Sequence, residues 1–205
     1  MNQSFLRLLI LYIWLLCCAA SRITAQERSP SAPAAKAQQP TDLYAPYAFL
    51  IGEWDVKAKN DDKLVAVQKV RWGPNKSYMW YAVVLVSDGQ EEPHMEGMLM
   101  WNGVHKNLDM LFAIDLNSGR IQEQGTISVA PDGGLVREIT AIYSEGLPKS
   151  GGQTVGPEGA TGHFRQTYKQ IGPDKIQTSV MRQTKTGWVA SFPGSDKLIM
   201  TRRSG

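Results

Sequence analysis

Cysteine is almost missing from this 205-residue chain: there are two, Cys17 and Cys18, adjacent in one apolar run near the N-terminus. Nothing beyond them can build a disulfide framework or a thiolate metal site. Histidine is scarce too. His94, His105 and His163 stand far apart, without the close spacing of a zinc motif, so no metal site is expected. The chain has no Gly-x-Ser-x-Gly elbow, and Lys149-Ser150-Gly151-Gly152 lacks the preceding glycine of a phosphate loop. Charge of one sign is lacking as well: 22 Lys and Arg face 19 Asp and Glu, for a formal net charge of +3. That balance gives no electrostatic footprint for nucleic acid.

The longest apolar run, Leu8–Ala20, has 13 residues and follows Arg7. It is too short for the roughly 20 residues of a membrane-spanning helix and has the length of a signal-peptide core. Residues 1–25 therefore read as an export signal, cleaved after Ala20 or after Ala25. Its removal takes Arg7 and Arg22 and no acid, leaving 20 basic against 19 acidic residues, a net charge near +1. Both cysteines leave with it, and no transmembrane span remains. A lipid anchor at Cys17 or Cys18 is the alternative, although Leu-Leu precedes them where a small residue is wanted. The expected location is secreted or periplasmic.

Residues 26–46, rich in proline, alanine and glutamine, read as a flexible linker. The domain is expected over 47–205, with period-two apolar patterning and no helical stripe. The strand-like runs begin with Trp54–Ala58, Val65–Val70 and Tyr78–Val86. They continue with Met95–Trp101, Leu108–Ile114, Ile121–Val129, Leu135–Tyr143, Phe164–Ile171, Ile176–Gln183, Trp188–Phe192 and Leu198–Arg202. Turn signals such as Asn102-Gly103, Pro131-Asp132-Gly133 and Gly172-Pro173-Asp174 separate them. About ten short-linked strands predict an all-β, up-and-down meander barrel, since an open sheet would leave long edges exposed.

The string Phe49-Leu50-Ile51-Gly52-Glu53-Trp54-Asp55-Val56, with Arg202 or Arg203 near the end, resembles a secreted bacterial lipocalin-like (calycin-type) family over residues 44–203. The resemblance implies a barrel in which Gly52, Trp54 and the terminal arginine form a structural signature at the closed end. It also implies a cavity for a small apolar molecule. No activity comes with it.

Met79, Met98, Met100, Trp101 and Phe112 crowd into neighbouring strands, with Met95 and Met110 beside them. Methionine adapts to irregular partners, so the first five are the candidate lining of a ligand cavity, with ordinary core packing as the other reading. For catalysis the candidates are strand-borne: Glu138, Arg165 and His163. The resemblance to calycin-type barrels adds a haem reading, with His163 as the axial ligand. Arg137 and Glu138 are adjacent in a strand, so in a regular strand one of them faces inward and needs a partner, whereas at a bulge or a barrel mouth both reach water. Three functions follow from these features. The first is binding of a small, largely apolar ligand; the second is an isomerase, cyclase or hydrolase using Glu138, Arg165 or His163. The third is an envelope-associated interaction module tethered by the linker.

Overall fold

The computed structural model describes residues 42–59, 64–116, 119–143 and 159–204. The expected signal peptide, the lipidation cysteines and most of the expected linker lie outside the described residues. The domain starts earlier than the composition indicates. Tyr44, Ala45 and Pro46 belong to it, because Tyr44 is buried and Ala45–Leu50 form a 3-10 turn.

The strands are β1 (Gly52–Ala58), β2 (Leu64–Trp72), β3 (Met79–Ser87), β4 (Gln90–Asn102), β5 (Asn107–Leu116) and β6 (Gly119–Val129). They continue as β7 (Leu135–Tyr143), β8 (Thr161–Gly172), β9 (Lys175–Thr184), β10 (Gly187–Ala190) and β11 (Leu198–Arg202). β1 to β9 pair in chain order, each antiparallel to the next, and β9–β11 and β11–β1 pairings complete a closed ring. The fold is the antiparallel ten-strand meander barrel that the patterning predicts.

The tenth position is shared. β10 pairs with Met181–Thr184 of β9 and β11 with Lys175–Thr178. The gap is bridged at Val180, whose carbonyl accepts from the Ser195 hydroxyl (2.7 Å) and the Ser191 amide (3.0 Å). The fully buried Ser195 side chain thus substitutes for a missing rung of the ladder.

One end of the barrel is plugged. Tyr44, just ahead of the 3-10 turn, and Tyr47 and Leu50 within it pack in one cluster with Met79, Leu99 and Leu108. The indole of Trp54, fully buried, donates to the Leu50 carbonyl (2.8 Å). Arg202 lies over that indole at 4.2 Å and donates to the Ile51 carbonyl (2.8 Å). Gly52, at φ +129°, leaves the room: a Cβ there would collide with the guanidinium. Arg203 does something different, bridging Asp55 and Glu91 outside this stack.

Candidate functional site

Above the plug the interior opens into a cavity of about 460 Å³. Its volume falls within the range of small-molecule pockets. The walls come from the inward positions of the strands, among them Val83, Ile114, Ile139, Phe164, Val180 and Met200. A β-bulge contributes to the shape. Val83 pairs with Met95 and Val84 with Pro93, so His94 is the extra residue and both His94 and Met95 reach the cavity.

Below these walls the interior is polar and closely bonded. β7 alternates so that Arg137 faces in and Glu138 out, and Arg137 is 2% exposed. Its guanidinium donates to Glu123 Oε2 (2.7 Å), Gln166 Oε1 (3.0 Å) and the Met110 sulfur (3.1 Å). It also lies over the rings of Phe112 (4.6 Å) and Tyr81 (5.4 Å). Desolvation is the largest single influence and works against this charge, but the Glu123 carboxylate with Tyr81 and Tyr168 together outweighs it and holds the guanidinium protonated above its ordinary range. Backbone geometry makes room for the cluster. Gly125 follows Glu123 on the inner face of β6, and a Cβ there would collide with the Glu138 carbonyl of β7.

A second chain of polar groups runs beside the ion pair. The Tyr81 hydroxyl donates to Gln68 Oε1 (2.8 Å) and lies 3.1 Å from the Tyr168 hydroxyl. Burial pushes the Tyr81 phenol well above its usual value and raises Tyr168 too, so both stay protonated. Gln166 Nε2 reaches the Thr178 hydroxyl at 3.5 Å. Arg137 and Glu123 are the only formally charged residues lining the cavity among the described residues, and they offset each other.

The residues expected to line the cavity mostly do something else. Met98 and Met100 point outward, 42% and 50% exposed, because the inner face of β4 holds Met95, Gly97, Leu99 and Trp101. With Leu111, the cross-strand partner of Met98, they form an outer apolar cluster. Met79 is core above the plug. Trp101 is half-buried near it, its amide donating to the Tyr44 hydroxyl (3.1 Å). Phe112 lies under the cavity as a face for Arg137 and an edge-on neighbour of Tyr81.

The catalytic candidates also face away from the interior. Glu138 pairs with Arg165 at 2.7 Å, both well exposed, and Arg165 stacks on Trp188 at 4.4 Å. His163 contacts Thr140 on the same outer surface, so it does not enter the barrel as an axial ligand for haem. The cause is one of register: Glu138 pairs with Arg165 and Thr140 with His163 on the face opposite Arg137. Glu138→Gln is expected to change stability by less than about 1 kcal/mol, as measured by urea unfolding, because exposed pairs contribute little.

Gln68, Gln166, Tyr168 and Thr178 carry no mark in composition or motif. The signal that could have found them is period two, which puts Gln68 in line with Ala66 and Val70, and Gln166 in line with Phe164 and Tyr168. A polar residue in an apolar half-register is the readable trace of an interior network.

His94 gives the site a pH dependence. Burial depresses its pKa below the ordinary 6.5, so it is neutral at pH 7 and costs stability when protonated. The unfolded chain binds a proton at that ordinary value and the folded chain only lower. Stability should therefore fall as pH drops through 6.5 and level off below the folded pKa. Urea midpoints of the wild type and His94→Gln at pH 7.5 and pH 5.5 check this, the variant showing the smaller drop.

Comparison with protein-family models returns no match, and comparison with curated proteins returns none either.

Proposed function

We propose that the protein is an exported, calycin-type barrel that binds a small, largely apolar molecule in its interior. The carrying observation is the cavity of about 460 Å³, walled by aliphatic and aromatic side chains above a polar base anchored by the Arg137–Glu123 pair. Support for the calycin-type reading comes from the Gly52, Trp54 and Arg202 stack at the plugged end. Export rests on the sequence of residues 1–25, with its single basic residue ahead of 13 apolar ones. With Glu138, Arg165 and His163 on the outer face, binding is favoured over catalysis by those groups.

The test is uptake of an apolar dye. Nile red should gain fluorescence with the wild-type protein and lose that gain with Ala66→Phe, which projects a ring into the cavity from β2. The added ring fills existing space, so the variant should melt within a few degrees of the wild type. Equal dye binding by a folded Ala66→Phe would refute the interior site. Native mass spectrometry of protein from its own host would then show what the barrel carries.

A further inference from the structure

On the reading of the cavity as a ligand site, the chemistry of the ligand's polar end follows from the direction of the hydrogen bonds beneath it. Both buried phenols keep their protons. Tyr81 gives its proton to Gln68 Oε1, so between the two phenols Tyr168 is the donor and Tyr81 the acceptor. The chain thus runs Tyr168 to Tyr81 to Gln68 and ends on the Gln68 amide nitrogen.

That nitrogen has no acceptor among the described residues, although Gln68 is only 3% exposed and lines the cavity. Turning the amide over does not solve the problem. Nε2 would then donate to Tyr81, leaving Oε1 bare and the Tyr168 proton without the Tyr81 acceptor. The groups nearby are already engaged. Gln166 Oε1 accepts from Arg137, Gln166 Nε2 meets Thr178, and the Arg137 charge is met by Glu123. A buried donor without a partner costs about 1–3 kcal/mol, so an acceptor that reaches it is favoured by the site.

We propose that the ligand is an uncharged amphiphile whose head carries a hydrogen-bond acceptor, an alcohol, amide, ketone or ester oxygen, received by Gln68 Nε2 with the tail against the apolar walls. A carboxylate head is excluded by the same electrostatics. It would bring a second negative charge to an arginine already neutralised by Glu123, in a site of low dielectric.

The experiment is displacement of Nile red from the full-length chain at pH 8 by four eight-carbon probes: octane, 1-octanol, octanamide and octanoate. Octanamide should displace the dye at about a tenth of the octanoate concentration. In Gln68→Met, octanamide and 1-octanol should weaken by about ten-fold while octane holds its affinity. In the wild type alone, one buried glutamine side-chain NH₂ pair should shift in the ¹⁵N spectrum with octanamide and not with octane. That measurement decides the matter even where Gln68→Met fails to fold. Octanoate binding as tightly as octanamide, an unshifted amide pair, or an unchanged octanamide affinity in a folded Gln68→Met would each overturn the head-group assignment while leaving the cavity site standing. Failure of Nile red and octane alike to bind would instead remove the cavity site itself.

Discussion

Glu123→Leu should lower the stability of the barrel by about 3–5 kcal/mol, because it leaves the Arg137 guanidinium charged, 2% exposed and without a counter-ion. For a domain of this size that is roughly 10 °C in melting temperature. Arg137→Met alone should also destabilise, since it strands Glu123, which is 13% exposed at its side chain. The double variant is the informative one. With both charges gone and an apolar side chain filling the space beside Met110 and Phe112, it should return to within about 1–2 kcal/mol of the wild type. Urea unfolding of the four chains gives the coupling energy directly. A loss under about 1 kcal/mol for Glu123→Leu would mean that water reaches the guanidinium and that the cavity base is not dry.

The same pair shows how far the sequence could be read. That Arg137 or Glu138 faces inward and finds a partner follows from strand alternation and the cost of a buried charge once the strand is regular; at a bulge or a barrel mouth both would reach water. Which of them does so, and that Glu123 is the partner, depends on the register between β6, β7 and β8, which no local pattern carries. Strand existence was legible because each run is apolar on at least one face and bounded by glycine, asparagine, aspartate or proline. Facing was not legible in β4, where Met98 and Met100 share the apolar character of Met95 and Leu99 but lie outside. An apolar run on both faces erases the period on which facing depends. The bulge at His94 compounds this, since it shifts the alternation by one residue within the same strand.

The second large effect is expected at the plugged end. Trp54→Ala removes a fully buried indole, its bond to the Leu50 carbonyl and the surface on which Arg202 rests. The expected loss is about 3–5 kcal/mol. Trp54→Phe keeps an aromatic face for the guanidinium but leaves the carbonyl without its donor, and should cost about 1–3 kcal/mol. Trp188→Ala is the control, because that indole is stacked by Arg165 on the outer surface and should cost far less. Thermal unfolding followed by circular dichroism ranks the three. Trp54→Ala melting no lower than Trp188→Ala would contradict the role of the stack. Trp54 does not line the cavity, so dye affinity of the folded fraction should stay at the wild-type level.

The stack also sits where the ring is joined. Most pairings in the barrel connect strands that are neighbours in the chain, but β1 meets β11, and Trp54 faces Arg202 across 148 residues. Closing so long a segment costs about 2 kcal/mol more chain entropy than closing a ten-residue hairpin, by the logarithmic dependence on loop length. The seam is therefore the contact that a folding chain reaches with most difficulty, and a high-contact-order closure of this kind slows the search. Glycine, tryptophan and arginine together form a latch on that seam, clasping the first strand to the last once the intervening hairpins have brought them together.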